Sequence, residues 1–413
     1  MSLDRPSDES RRIALSLSGG GFRATLFHVG ALQRLNECGV LRQVSTLCSV
    51  SGGSITNGVL ATRWNDLIAS VEDGVLRRFE DLVAAPIYDF CRKDLRTQVL
   101  LWDRVNPVNW PQLLRRDKSA TDRLASAYAE ELGLDRLLSS LPSAPEFCFL
   151  ATNISNGGPW EFRAGQMGDW YAGYASSDDV SVAAAVAASS SYPVTFPPLR
   201  LTFDPAKPFR GGRGKAELVQ RYEAVTLTDG GVYDNLGLEP VRNGYDYVLV
   251  SDAGHPLIQE EMPELGPYAR VTRSLDITAN QVGAQRRRWL IEALESKDIN
   301  LDGAYWGLRS RVANFGIAGA PSYGDDVLPL IEQIRTDLDP FTDGEIGVLV
   351  NHGYALANVA LQRWTRPLLP ERIPKFAWPF PDFVDDDAAL AAVNESSERG
   401  ILRDIWMSIR DND

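Results

Sequence analysis

The sequence predicts an α/β fold, with a mainly parallel central sheet flanked by helices and a helical insertion. Two observations predict it. Short apolar runs alternate with helical patterns in the order β-α-β-α over the first 65 residues, which is typical of a parallel sheet covered on both faces. Apolar residues make up 44% of the 413-residue chain, enough for a sizeable core in one large domain or in two to three average ones.

The first two strands and helices follow one another directly. Residues 13–17 (IALSL) predict a short buried strand, and apolar side chains at helical spacing predict a helix over residues 22–38. Gly39 then stands where a helix end favours glycine. Residues 44–50 (VSTLCSV) predict a second strand, which runs into a second helix that begins within SGGSITNGVLATRW.

The pattern changes after this opening. Residues 66–145 are mostly helical in pattern and predict an insertion rather than a separate domain. An alanine-rich helix over residues 180–188 ends in a serine-rich turn, SSSYP, and another helix is predicted over residues 277–296. Further strands are predicted at residues 146–154, 160–165, 224–231 and 245–254, with a strand-like stretch at 345–354 and a helix to about residue 364.

These elements predict one main domain over residues 10–370. The remaining residues, 371–413, predict a tail that is proline-rich at first and then acidic and helical. Residues 204–215 (DPAKPFRGGRGK) read as an exposed loop.

Net charge, cysteine spacing and hydropathy exclude several classes of binding partner and of site. The formal net charge of −13 argues against nucleic acid, because phosphate backbones attract basic proteins. The four cysteines form no Cys-x-x-Cys pair, so neither a zinc site nor a disulfide framework is indicated. The polar N-terminus lacks a signal-peptide pattern, and no apolar run is long enough to span a bilayer. We expect buried free thiols and a cytoplasmic protein.

The stretch CSVSGGS (48–54) predicts a nucleophile elbow around Ser51. Such an elbow holds a serine on a sharp turn between a strand and a helix, with small residues two positions before and after it. Here these residues are Ser49 and Gly53, so serine replaces the first glycine of the G-x-S-x-G pattern. The alternative is that Ser51 only caps the helix that follows.

The stretch SGGGFR (18–23) predicts a backbone that something approaches closely. Gly19, Gly20 and Gly21 lie between a strand and a helix, where their N–H groups can stabilise an oxyanion. Arg23 adds a cation that either steadies the loop or attracts a substrate phosphate. The spacing Gly19-x-Gly21-x-x-Ala24 also fits a dinucleotide fingerprint. However, the acidic residue that this fingerprint needs about 20 positions later is missing.

A nucleophilic serine needs a general base within hydrogen-bond reach. The stretch LTDGGVYDNLG (227–237) places Asp229 at a predicted strand end, with Gly230 and Gly231 leaving space around its carboxylate. Asp252 in VSDAG has similar surroundings and is the second candidate. Either acid could instead form an ordinary Asp-Gly turn.

A histidine is the other candidate for the base. His28 lies in line with the apolar face of the first predicted helix, which suggests a packed position. His255 follows a strand and a glycine, and His352 lies in VNHGY. Both would satisfy the Ser…Asp…His order of a catalytic triad.

Together, SGGGFR, SVSGGS and TDGGVYDN occur in the order that resembles the patatin-like phospholipase family of acyl hydrolases. The resemblance covers residues 10–260 and implies a three-layer sandwich with a Ser-Asp dyad, in which Ser51 is the nucleophile and Asp229 the base. Both histidines of the triad alternative would then be structural or peripheral. The oxyanion hole would come from Gly19, Gly20, Gly21 and Phe22, supported by Arg23, Gly53, Gly230 and Gly231.

The resemblance implies hydrolysis of carboxylic esters of phospholipids or other acyl lipids through an acyl-serine, with neither a cofactor nor a metal. The alternatives are a Ser-His-Asp esterase, an acyltransferase, or a binding scaffold without activity. Tryptophans at 99–111 and 160–174 could line an acyl groove, contact a membrane transiently, or belong to the core. Arg286–Arg288 could meet lipid headgroups, although a solvated helix face explains them as well.

Overall fold

Ten strands among the described residues form a mixed sheet at the centre of the molecule. The computed structural model of the chain describes residues 11–99, 119–193, 195–204, 209–213, 224–254, 257, 266–296 and 301–397. The strands are β1 (Ile13–Leu17), β2 (Thr46–Val50), a separate hairpin of β3 (Val71–Glu72) and β4 (Val75–Leu76), β5 (Glu146–Asn153), β6 (Gly158–Arg163), β7 (Gln166–Asp169), β8 (Gly173–Ala175), β9 (Leu199–Thr202), β10 (Ala224–Asp229), β11 (Tyr247–Asp252) and β12 (Asp302–Gly307).

Helices cover both faces of this sheet. They are α1 (Gly21–Glu37), α2 (Gly52–Ile68), α3 (Ala85–Cys91), α4 (Ala120–Leu132), α5 (Val182–Ser189), α6 (Gly231–Asp234), α7 (Pro267–Glu295), α8 (Leu328–Gln333), α9 (Asp343–Trp364) and α10 (Asp386–Ser397).

The strand order is β12-β11-β1-β2-β5-β6-β7-β8. From β12 to β5 all neighbours are parallel, whereas β6, β7 and β8 extend the sheet as an antiparallel meander. Strand β10 pairs antiparallel with β5 and with β9. The predicted fold class, a mainly parallel central sheet between helices, is therefore confirmed.

Side chains alternate between two cores along the central strands. Leu15 and Leu47 point into the larger core, which contains α1, α2 and α9. Ala14 and Cys48, their chain neighbours, point into a smaller core with residues of α7. This alternation follows from the two-residue period of a strand and gives the three-layer arrangement.

The predicted strand-like stretch at 345–354 is wrong, because these residues belong to helix α9. Thr342 and Glu345 form a reciprocal capping box that begins the helix. The helix is buried on nearly all sides against α1 and its neighbours, so its apolar residues form a continuous run. Such a run does not distinguish a buried strand from a buried helix by its periodicity.

Two other features differ from expectation. Helix α7 begins at Pro267, ten residues before the predicted start at residue 277. The predicted helical insertion also contains the β3–β4 hairpin and a π-helical turn at Glu80–Ala84. Half of the predicted loop at 204–215 lies outside the described residues. No helix within the described ranges has the length and apolar character that crossing a membrane requires.

Candidate active site

Ser51 occupies a sharp turn between β2 and α2. Its backbone has φ 50° and ψ −120°, a region that non-glycine residues rarely adopt and that costs on the order of 1–3 kcal/mol. The Ser51 N–H donates to the Ser189 hydroxyl at 2.9 Å, and the Ser51 carbonyl accepts the Ser54 N–H at 2.8 Å. A strained turn between a strand and a helix is the backbone arrangement that a nucleophile elbow requires.

The small residues around Ser51 each have a structural reason. A Cβ atom at Gly53 would lie 2.6 Å from the carbonyl oxygens of Leu17 and Ser18, so only glycine fits. Ser49 replaces the other glycine of the pattern. Its side chain is fully buried, and polar groups surround its hydroxyl. The Ser49 hydroxyl accepts from the Asn57 amide at 2.8 Å.

A chain of hydroxyl groups continues beneath the elbow. Ser49 donates to the Cys148 carbonyl at 3.3 Å, and Ser54 donates to Ser49 at 3.0 Å. Because each hydroxyl has one proton, the 2.8 Å contact between Ser189 and Ser54 must use the proton of Ser189. The Ser189 oxygen is thereby oriented to accept the N–H of Ser51.

Asp229 reaches Ser51 through the register of β5. Val50 lies opposite Leu150 on β5, and Asp229 lies opposite Ala151, the next residue of that strand. The ends of β2 and β10 therefore meet beside one strand, although they lie far apart in the sequence. The Ser51 hydroxyl lies close enough to the Asp229 carboxylate to favour the ionised form of that acid.

The Asp229 carboxylate is nearly inaccessible to water, with 4% of the residue exposed. Burial raises the pKa of Asp229 to about 6, against the hydrogen bonds from the Gly231 N–H and from Ser51. The Gly231 N–H lies 2.7 Å from the carboxylate. A Cβ atom at Gly231 would lie 2.9 Å from the same oxygen, which explains the glycine there. A buried carboxyl with a pKa near neutrality can accept and return a proton.

The glycine loop lies against the elbow. Gly20 and Gly21 have φ angles of +146° and +56°, which favour glycine at both positions. A Cβ atom at Gly52 would collide with the Gly21 backbone, so the loop and the elbow approach each other through glycines. The sequence predicts that something approaches the glycine loop closely, and in the structure the backbone of the elbow at Gly52 does so.

The four predicted oxyanion donors are not equivalent. The Gly19 N–H donates to the Asn235 carbonyl at 3.1 Å, and the Phe22 N–H donates to the Asp337 carbonyl at 3.0 Å. Within the described ranges, the N–H groups of Gly20 and Gly21 have no acceptor. The available pair is thus Gly20 and Gly21, which corrects the predicted set of four.

Arg23 steadies the loop rather than facing a substrate. The residue is fully buried, and its guanidinium donates to the carbonyls of Ile334 and Ala253, each at 2.8 Å. Burial lowers the pKa of Arg23 to about 9, with the Asp252 charge opposing this shift. A cation enclosed in this way cannot attract a phosphate from solvent, so the first of its two predicted roles fits the structure.

The second candidate acid has other partners. Asp252 accepts hydrogen bonds from the Tyr305 hydroxyl at 2.7 Å and the Gly254 N–H at 2.9 Å, and it pairs with Arg287 at 3.2 Å. These contacts link β11, β12 and α7. Asp252 therefore has a structural role that accounts for its position.

Two of the histidines are buried and neutral. The His28 ring hydrogen-bonds to the Ser251 hydroxyl at 2.8 Å and to the Ser18 carbonyl at 2.9 Å. His352 bonds to a backbone carbonyl at 2.8 Å. Burial lowers the pKa of each ring to about 4. His255 lies outside the described residues.

Three contributors to the site were missed at the sequence level. Ser189 belongs to the serine-rich turn, Asn235 belongs to TDGGVYDN, and residues 334–338 come from a distant part of the chain. The local signal in the sequence was the run of three serines at 189–191. An alanine-rich helix does not need three serines at its C-terminal end, so the run indicates another role for their hydroxyl groups. Among the described residues, no group of three or more His, Cys, Asp or Glu side chains could hold a metal ion.

The tryptophans and arginines that the sequence suggests for lipid contact differ in exposure and in partners. Trp160 is fully buried and packs on Phe162, whereas Trp170 is 52% exposed. Residues 100–118 lie outside the described residues. Arg286 pairs with Asp234 and Glu239, and Arg287 pairs with Asp252 of β11, so the arginine run serves in part to attach α7 to the sheet.

A comparison with known protein families identifies the family of the chain. Residues 15–242, more than half of the chain, match the family described as patatin-like phospholipase. No curated protein matches the chain.

Several solved structures are similar to the chain. Human GIVD cytosolic phospholipase A2 is 14% identical with a TM-score of 0.48, over 89% of this chain and 61% of that chain. The same enzyme in complex with methyl gamma-linolenyl fluorophosphonate is 16% identical with a TM-score of 0.48, over 97% and 61%. VipD from Legionella pneumophila is 14% identical with a TM-score of 0.33, over 86% and 67%. The chain thus spans about three fifths of the length of the human enzyme.

Proposed function

Since the chain belongs to the patatin-like phospholipase family of lipid acyl hydrolases, we propose that it hydrolyses carboxylic esters of lipids with a Ser51–Asp229 dyad. The observation that carries this proposal is the register of β5, which brings the turn at Ser51 beside the buried Asp229 carboxylate. A nucleophile with a base beside it needs no histidine between them.

The first step is attack by Ser51 on the ester carbon. Asp229 accepts the Ser51 proton as the new oxygen–carbon bond forms. With a pKa raised to about 6 by burial, this carboxylate is ionised at neutral pH and is a stronger base than an exposed aspartate. The helix that begins at Gly52 also directs its N-terminal dipole at the reacting centre.

The tetrahedral intermediate carries a negative charge on the former carbonyl oxygen. We assign its stabilisation to the N–H groups of Gly20 and Gly21, which have no other acceptor among the described residues. Loss of one such donor typically costs about 2.7–4 kcal/mol of transition-state stabilisation.

The intermediate then collapses and releases the alcohol. Asp229 gives its proton to the leaving oxygen, and the acyl group stays on Ser51. Water attacks this acyl-serine as Asp229 accepts a proton from it. The second tetrahedral intermediate then collapses as Asp229 returns that proton to the Ser51 oxygen, which breaks the acyl–serine bond and releases the fatty acid. Each residue thus returns to its starting protonation state.

We propose a glycerophospholipid or another acyl lipid as the substrate, met by transient contact with a membrane surface in the cytoplasm. The family supports the lipid class. The four cysteines are buried and free, which is compatible with a reducing compartment.

The test is release of fatty acid from mixed phospholipid vesicles by the wild type, Ser51→Ala and Asp229→Asn. Exposed residues provide matched controls, Ser140→Ala and Asp178→Asn. We expect both site variants to lose release while both controls keep it. Loss with Ser51→Ala alone would reject Asp229 as the base.

A fluorophosphonate reports on Ser51 independently of the substrate, because it forms a covalent adduct with an activated serine. Absence of an adduct on Ser51 in folded wild-type protein would indicate a scaffold without activity. An adduct together with acyl transfer to an added alcohol, in preference to water, would indicate a transferase.

A further inference from the structure

Residues 334–339 contact the glycine loop from outside the region that matches the family. They lie between α8 and α9, whereas the match ends at residue 242. The Asp337 carbonyl accepts the Phe22 N–H at 3.0 Å, and the Ile334 carbonyl accepts from Arg23 at 2.8 Å. A Cβ atom at Gly21 would lie 2.8 Å from the Asp337 carbonyl oxygen. The 334–339 segment therefore packs directly on the loop.

This contact determines which N–H groups remain available. Phe22 is the second residue of α1, and a free N–H at that position would compete for the same anion as its neighbours. The bond to the Asp337 carbonyl occupies the Phe22 N–H, so that this group is not available to an anion, and it fixes the first turn of the helix. The orientation of the Gly20 and Gly21 N–H groups follows from the position of that turn.

The segment is itself held by the helical insertion. The Asp337 carboxylate pairs with the Arg96 guanidinium, and only 9% of the Arg96 side chain and 20% of the Asp337 side chain are exposed. The backbone N–H groups of Leu95 and Arg96 also donate to the Leu338 carbonyl, at 3.1 Å and 3.0 Å. Because the pair is largely shielded from water, its attraction is screened less than that of a surface pair.

We propose that the Arg96–Asp337 ion pair is a positioning device for the oxyanion hole, an inference that rests on the proposed function. It holds the Asp337 carbonyl against the Phe22 N–H, and thereby holds the Gly20 and Gly21 N–H groups toward the Ser51 side. The pair does not contact the substrate. It acts only through the glycine loop, so its loss should affect the transition state more than substrate binding.

The experiment compares Arg96→Met, Arg96→Lys, Asp337→Asn and the double variant Arg96→Met/Asp337→Asn. Initial rates on a soluble short-chain ester give kcat and KM separately, and thermal unfolding is followed in parallel. Arg92→Met is the matched control, because Arg92 pairs with Asp89 and Asp343 nearby without contacting the glycine loop in any described bond.

We expect Arg96→Met to lower kcat by roughly tenfold to a hundredfold, the range that misplacement of a catalytic group by about 1 Å produces. KM should change less than twofold. Arg96→Lys should recover part of kcat, and the double variant should be no worse than the poorer single variant. Arg92→Met should keep the wild-type kcat.

Three results would overturn the inference. An active wild type, inactive Ser51→Ala and unchanged kcat in Arg96→Met would reject the positioning role while leaving the proposed function in place. If the loss of kcat in Arg96→Met equals the fraction of unfolded protein, or if Arg92→Met loses as much kcat, the Arg96–Asp337 pair has only a structural role. A wild type with neither activity nor a fluorophosphonate adduct on Ser51 would overturn both proposals.

Discussion

The backbone N–H of Ser51 donates to the hydroxyl of Ser189, 2.9 Å away. This bond stabilises a residue with a positive φ angle. The Ser189 carbonyl also accepts the N–H of Gly230 at 3.1 Å, the residue that follows Asp229. One residue at the end of α5 therefore contacts the backbone of Ser51 and that of Gly230, the neighbour of Asp229.

Ser189→Ala should lower kcat by about tenfold, because the elbow loses the bond that opposes its strain. It should also lower the free energy of unfolding by about 1–2 kcal/mol, since a buried N–H loses its acceptor. Steady-state kinetics and urea unfolding measure the two effects. The matched control is Ser190→Ala, which removes a neighbouring buried hydroxyl bonded to Tyr128. Equal kcat values for the two variants would contradict the prediction.

Activity should depend on the ionisation of Asp229. Burial raises the pKa of this carboxyl to about 6, and only the ionised form accepts the Ser51 proton. A profile of kcat/KM against pH reports the free enzyme, so we expect it to rise through an inflection near pH 6 and to level off at higher pH. An inflection near pH 4, the ordinary value for aspartate, would show that Asp229 is exposed in solution or is not the base.

The same shift predicts a cost in stability. A folded-state pKa raised from 3.8 to about 6 means that the folded protein binds more protons than the unfolded chain between these values. The Asp229 contribution to the free energy of unfolding therefore falls as pH rises through this window. Asp229→Asn should be more stable than the wild type at pH 7 by about 2–3 kcal/mol.

That difference should disappear near pH 4, where the wild-type carboxyl is protonated. Urea unfolding at both pH values measures it, and the exposed Asp178→Asn controls for the general effect of removing a charge. The interpretation fails if Asp229→Asn differs from the wild type equally at the two pH values.

Arg335 offers a test of the anchoring of the 334–339 segment. Its guanidinium binds both oxygens of Asp339, at 2.7 Å and 2.8 Å, and pairs with the fully buried Glu345. Arg335→Met leaves buried charge without compensation, which typically costs about 3–5 kcal/mol. Arg309→Met, which removes a 60% exposed partner of Glu332, should cost less than about 1 kcal/mol.

Adding Glu345→Gln to Arg335→Met should restore part of the loss, because the glutamine keeps the helix cap and removes the buried charge. Thermal unfolding compares the three variants. A cost of Arg335→Met no greater than that of Arg309→Met would show that the buried cluster contributes little.

The sequence was most informative where structure is local. The strand, glycine loop and helix over residues 13–37 and the elbow around Ser51 depend on short-range geometry that only a few residue types permit. Asp229 was singled out for the same reason, because its two glycines are adjacent to it. The positions of Ser51 and Asp229 as the reacting pair stay a prediction.

Other parts of the site depend on tertiary contacts that no local pattern encodes. Phe22 was predicted as a donor, but its N–H is used by Asp337, which is more than 300 residues later in the sequence. The sequence predicts a strand for part of helix α9, because burial on all sides removes the periodicity that distinguishes a helix from a strand. In both cases the deciding contact lies in a distant segment.

The register of β5 also constrains how the protein assembles. Leu150 pairs with the last residue of β2, and the next residue, Ala151, pairs with the last residue of β10. A fragment that ends before residue 224 has the elbow and the glycine loop but not the acid. Contacts between residues so far apart close late in folding, after the local elements have formed. Hydrolytic competence should therefore emerge as one of the last events of folding, and a partly folded chain would carry an inert serine.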